Sequence, residues 1–276
     1  MSVGRCCRLA FDYRITLGLP VMVNLHRFAN PNRFMRLSAR ILPWASIVAL
    51  ILFPAGLYLA LIGSPPDYEQ RETVRIMYVH VPAAWMALFS YSFMAAASAV
   101  ALIWRHPLAD IAAKSIAPIG ACFTFICLVT GSLWGQPTWG TWWVWDARLT
   151  SVLILFFLFL GYMVLYDAFD DPQKGARAAG ILAIVGFVFV PIIKFSVDIL
   201  ELRTLHQGAS VLKMSGPSVH ETMLWPLLVM ALAYVAYMTS ILLVRMRSAI
   251  LSARVRSLRI IRAQGESKPL VVTDRA

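Results

Sequence analysis

An all-α bundle of six membrane-spanning helices is the architecture predicted by this 276-residue sequence, on three observations. Hydrophobic residues make up 59% of the chain and charged residues only 14%. A helix needs about 20 mainly apolar residues to cross the hydrocarbon core, and six stretches qualify, at 42–63, 82–104, 115–134, 150–166, 179–200 and 223–244. Runs such as SVLILFFLFLGYMV (151–164) lack the alternation of a barrel strand, and in lipid only helices or a closed barrel satisfy every backbone amide.

The chain reads in three parts: a basic segment 1–41, a six-helix domain 42–244, and a basic tail 245–276. Residues 1–41 carry arginines every few positions and no uninterrupted apolar core, unlike a cleavable signal peptide, so insertion relies on the first span. Pro20, Pro31 and the absence of amphipathic repetition argue against an organellar presequence, and Met22 offers an alternative start. Pro82, with its fixed φ and missing donor, suits the first turn of the second span. The tail mixes arginine with Ile and Leu (LSARVRSLRIIRAQ), fitting either a solvated anchor or a basic amphipathic helix on the membrane surface.

Orientation follows from the 25 Lys and Arg. Nineteen lie in the N-terminal segment, in the tail, or at Arg105, Lys114, Lys174 and Arg177 in the even-numbered connections. The positive-inside rule therefore places both termini in the cytoplasm and the connection between spans three and four outside. The net charge of +11 is mostly topology, with some attraction to anionic lipid, and gives no reason to expect nucleic-acid binding.

Cysteine usage excludes several chemistries. Cys6 and Cys7 are adjacent, and Cys122 and Cys127 are five apart in one span, roughly 140° around a helix. No CxxC or CxxCH occurs, so the chain is not itself a c-type cytochrome. The absence of a GxxxxGK[ST] loop argues against nucleotide hydrolysis.

The outer connection 134–151 reads WGQPTWGTWWVWDARLTS and holds five of the nine tryptophans, Trp134, Trp139, Trp142, Trp143 and Trp145. An interfacial belt normally has one or two rings per helix end. Five, interleaved with Gly135, Gly140, Asp146 and Arg148, suit a flat aromatic ligand: rings stack on it, glycines let the backbone approach, and the charges orient its polar substituents. His26 and His106 fall on the cytoplasmic side, where solvated roles are the default; His80, His206 and His220 fall outside. The positive end of a helix beginning near His80 keeps that ring neutral and able to bind a metal. Two outward histidines beside a tryptophan platform suggest axial ligation of a heme iron. Zinc is the rival metal, but there is no HExxH and no dense cluster of ligands.

The tryptophan-rich run resembles the WWD signature of heme-handling proteins. MYVHVPAAW, APIGACFTFICLVTGS and TLHQG are similar to the flanking motifs of the cytochrome c maturation heme exporter protein C family, from about residue 24 to residue 247. The resemblance implies a six-span bacterial inner-membrane protein, a mitochondrial one being the alternative, that holds heme b non-covalently and transiently at its outer face. It implies axial ligation of the iron by His80 and His206, with Trp134, Trp139, Trp142, Trp143, Trp145 and Asp146 in the platform. Implied partners are a periplasmic heme chaperone, the ATPase and permease of an ATP-binding cassette transporter, and a small single-span subunit. His220 has no counterpart in the motifs and is read as structural.

Heme propionates need cations, and Arg75 and Arg148 are the outward arginines nearest the motifs. The competing roles are an interface anchor for Arg75 and an Asp146 ion pair for Arg148. Lys194 and Asp198, four apart, are expected to pair or snorkel. Two other functions remain open at this level: a heme ligase that forms the covalent bond itself, and a conduit for heme across the bilayer. A conduit needs polar or aromatic residues lining a path, and apart from Lys194 the mid-membrane segments read as lipid-facing or packing surface.

Overall fold

Among the residues it describes, the computed structural model has six helices long and apolar enough to cross a membrane, at Pro31–Gly63, Glu72–Trp104, Pro107–Trp139, Ala147–Asp167, Pro172–Phe195 and Glu221–Gln264. The model describes residues 30–196, 206, 212–213, 216–217 and 219–266. Cys6, Cys7, Met22, His26, Asp198 and Arg203 lie outside these residues, as does the side chain of Lys213. Among the described residues the α-helices are α1 (Pro31–Tyr58), α2 (Met77–Trp104), α3 (Pro107–Trp139), α4 (Ala147–Asp167), α5 (Pro172–Gly186), α6 (Phe189–Phe195) and α7 (Glu221–Glu266). One antiparallel pair, β1 (Leu212–Lys213) with β2 (Gly216–Pro217), precedes α7.

The helices begin where capping chemistry allows, not where the apolar runs start. Asn30, His106 and Asp171 each precede a proline at the first helical position, and each side chain accepts a backbone N–H of the first turn. Proline lacks a donor that would be orphaned there anyway, while the cap satisfies another. α1 therefore starts eleven residues before the first apolar span. His106 is a buried cap rather than a solvated surface residue: its Nδ1 accepts from Ala109 N at 3.2 Å. A 3-10 turn, Glu72–Ile76, leads into α2, so Pro82 lies beyond the first turn expected for it.

α2 and α3 pack along their length, α1 pairs with α7, and α4 closes on α3 and α5. The core between them holds Tyr78, Tyr91, Met94, Ile116, Phe159 and Tyr162, all essentially inaccessible. Gly120 permits this contact, since a Cβ there would fall 2.3 Å from Phe159 and 2.9 Å from Ser90. The basic tail does not start a separate helix: α7 continues through it to Glu266. Arg247 donates to Met35 O and Ser38 Oγ, and Arg254 to Asn32 Oδ1, fastening α7 to the start of α1.

Candidate functional site

At the opposite end of the bundle, where α3 runs into α4, more than half of the tryptophan connection is helical. α3 continues through Trp134 to Trp139 and stops at Gly140, whose φ of +75° is the left-handed conformation that favours glycine. Asp146 restarts the chain as the cap of α4, accepting Leu149 N at 2.7 Å. The motif is thus a wall of helix, a six-residue connection and a cap.

A cavity of about 440 Å³ opens between α2, α3, α4 and α6, within the range of small-molecule sites. Its apolar lining includes Trp85, Leu88, Val152 and Ile193, and its polar lining Gln70, His80, Arg148, Lys194 and His206. Trp134, Trp139 and Trp143 form part of the wall. Trp142 and Trp145 do not line it and are 59% and 76% exposed. Asp146 and Arg75 also stand outside the lining. Arg75 donates to Glu72 Oε2, Ala60 O and Ser64 O, tying the end of the first span to the start of α2.

His80 is buried on the first turns of α2, its ring edge-on to Trp134 at 5.7 Å between centroids. A Cβ on Gly131 would lie 2.9 Å from His80 Cε1, so α3 approaches the ring as closely as a glycine permits. Thr130 Oγ1 donates its single hydrogen to Ile126 O at 2.6 Å, and it therefore accepts from His80 Nδ1 at 3.1 Å. This network assigns the ring proton to Nδ1 and leaves the Nε2 lone pair available.

His206 has the opposite arrangement. Its Nδ1 lies 3.0 Å from Arg148 Nη1, and a guanidinium only donates, so Nδ1 accepts and the proton of a neutral ring sits on Nε2. Arg148 is itself buried, on the first turn of α4. His206 packs against Trp139 at 6.1 Å, and its ring centroid is 6.5 Å from that of His80. Two imidazoles bonded to opposite sides of one metal ion, with bonds of about 2 Å, would have centroids roughly 6 Å apart. The separation fits an iron between them, and the aromatic and cationic lining fits an apolar macrocycle bearing carboxylates.

The model of the heme exporter protein C family matches residues 24–261. This chain belongs to that family. It is 54% identical over 235 residues to a heme exporter protein C from Bradyrhizobium diazoefficiens, covering 85% of this chain and 88% of that one. The corresponding proteins of Haemophilus influenzae and Escherichia coli K12 are 47% and 42% identical over 227 and 228 residues, covering 82% of this chain and 92% and 91% of theirs. The structure thus describes a multi-pass member of the heme exporter protein C family.

Of the residues singled out in the sequence, His80, His206, Trp134, Trp139, Trp143 and Arg148 share the cavity, while Trp142, Trp145, Asp146 and Arg75 surround it. His220 is exposed, with Nδ1 2.9 Å from Thr222 Oγ1 at the start of α7. Lys194, expected to pair with Asp198 or snorkel, lines the cavity. Gln70 carried no sequence signal; Trp85 and Thr130 lie within the MYVHVPAAW and APIGACFTFICLVTGS segments, but only the fold shows Trp85 lining the cavity and Thr130 beside His80.

Proposed function

We propose that this chain binds heme b non-covalently at the periplasmic face of the bacterial inner membrane and delivers it to a periplasmic heme chaperone for c-type cytochrome biogenesis. Both termini are cytoplasmic in this reading, and the chain works beside a transporter ATPase and permease and a single-span subunit. The observation that carries it is the 6.5 Å juxtaposition of His80 and His206 beside Trp134 and Trp139.

Heme supplies an iron with two axial positions, a flat apolar ring and two carboxylates. His80 offers Nε2 without rearrangement. His206 offers Nε2 only after Arg148 leaves Nδ1, so that the ring proton can move there. A ligand carboxylate in the cavity gives Arg148 the stronger, charge-assisted partner for which to leave. His80 thus acts as the standing ligand and His206 as the conditional one, an arrangement suited to holding a cargo that must be released. The tryptophan wall excludes water and fixes the plane in which the ligand lies, leaving the open edge of the cavity toward the partner.

The test is loading of the chaperone in cells expressing the whole maturation system with His80→Ala or His206→Ala. Heme-loaded chaperone should fall in both. Wild-type levels in both would refute the ligand assignment.

A further inference from the structure

The turn that precedes α2 is built around Gln70. Its backbone N–H donates to Asp67 Oδ1 at 2.8 Å, and its carbonyl accepts from Thr73 N and Thr73 Oγ1. Asp67 and Arg71 close the turn with two backbone bonds, Asp67 N to Arg71 O at 3.1 Å and Arg71 N to Asp67 O at 2.9 Å. The closure leaves Arg71 at φ 50° and ψ −128°, a region that non-glycine residues rarely occupy. Strain of this kind persists only where surrounding contacts over-determine it, and it concentrates at functional sites.

What the turn secures is the side chain. Gln70 lines the cavity, and its Oε1 accepts the indole N–H of Trp134 at 2.9 Å, 64 residues away in sequence. Trp134 in turn meets His80 edge-on. An indole has a single N–H, so this bond fixes the rotation of the ring about its link to α3. Arg75, at the end of the 3-10 turn that follows, binds the carbonyls of Ala60 and Ser64 at the end of the first span.

We propose that Gln70 is a positioning residue of the site, holding the Trp134 indole against His80 and thereby setting the plane of the His80 imidazole and of a ligand bound to it. The heme-dependent part of this inference rests on the function proposed above; the anchoring of Trp134 does not. Gln70 acts through Trp134.

The test uses the full chain in detergent, with [15N]indole-labelled tryptophan and the Trp134 resonance assigned by Trp134→Phe. In heme-free protein, Gln70→Leu should shift the Trp134 N–H upfield, as expected for a lost acceptor. On titration with hemin the same variant should bind about five- to tenfold more weakly, the effect of one hydrogen bond, with a displaced Soret maximum. Gln70→Glu, whose carboxylate still accepts the indole N–H, should restore both readouts, with both variants still unfolding cooperatively on heating. A wild-type Trp134 resonance and wild-type hemin affinity in Gln70→Leu would overturn the proposal, as would a Gln70→Glu variant as impaired as Gln70→Leu. Failure of the wild-type chain to bind hemin would refute the heme reading instead, with the indole resonance still deciding whether Gln70 anchors Trp134.

Discussion

His80 and His206 face each other across one cavity, but their Nδ1 atoms are engaged in opposite ways. His80 stands on a helix, backed by Gly131, with its Nδ1–H donating to Thr130 Oγ1. His206 lies in the connection before α7, with its Nδ1 lone pair taken by Arg148. A ring whose Nδ1 donates has Nε2 ready for a metal; a ring whose Nδ1 accepts does not. In the function proposed above, this difference in neighbours would make His80 the fixed ligand and His206 the releasable one.

Among substitutions around the two rings, the largest expected effect comes from removing the neighbour of His80. Thr130→Val deletes the acceptor and should weaken hemin binding about 10- to 100-fold, the usual cost of losing such a support, measured by Soret titration. Retained affinity would mean that the Thr130 contact does not prepare the ring.

Arg148→Leu should split the response according to the ligand. Hemin loses a charge-assisted partner for its carboxylates and should bind about tenfold more weakly. Hemin dimethyl ester, which has no free carboxylate to draw Arg148 away, should be five-coordinate in the wild type and six-coordinate in Arg148→Leu. Six-coordinate ester in the wild type would remove the conditional character of His206.

Glycines sharpen the comparison at smaller magnitude. Gly131→Ala pushes a methyl toward His80 Cε1 and should cost about 1 kcal/mol, the low end for overpacking, together with a shifted Soret band. Gly120→Ala crowds Phe159 and Ser90 in the core; it should lower the unfolding temperature and leave the absorption of bound hemin unchanged. A Soret shift in Gly120→Ala as large as that in Gly131→Ala would show that the site is not separable from the core. The smallest effect is expected at Trp142 and Trp145, whose replacement by alanine should leave hemin affinity intact because neither lines the cavity, in contrast to Trp134→Ala.

Composition and apolar run length were enough to read six spans, because bilayer thickness imposes itself on sequence. Helix ends were not, since they follow capping: Asn30, His106 and Asp171 set starts that hydropathy does not register. Likewise a tryptophan connection read as one loop is partly helix: α3 runs on through Gly135 and Pro137, residue types that usually end a helix, and stops only at Gly140. The cavity residues that the sequence exposed were those in compact motifs, such as His80, Trp134 and Arg148. Gln70 stayed hidden, and the role of Thr130 inside its motif was not legible, because their partners, Trp134 and His80, are 64 and 50 residues away. The separation of Arg75 from the cavity was equally invisible, since it depends on the carbonyls that the first span leaves unpaired at its end.

The most direct measurement is the visible absorption spectrum of the detergent-purified protein, with pyridine extraction to identify the heme, for the wild type beside His80→Ala and His206→Ala. The expected result is non-covalent b-type heme with a six-coordinate spectrum in the wild type, near-complete loss in His80→Ala, and weakened, five-coordinate heme in His206→Ala. Wild-type protein purified without heme in the presence of its partners, or an unchanged six-coordinate spectrum in both variants, would contradict a site built on these two histidines.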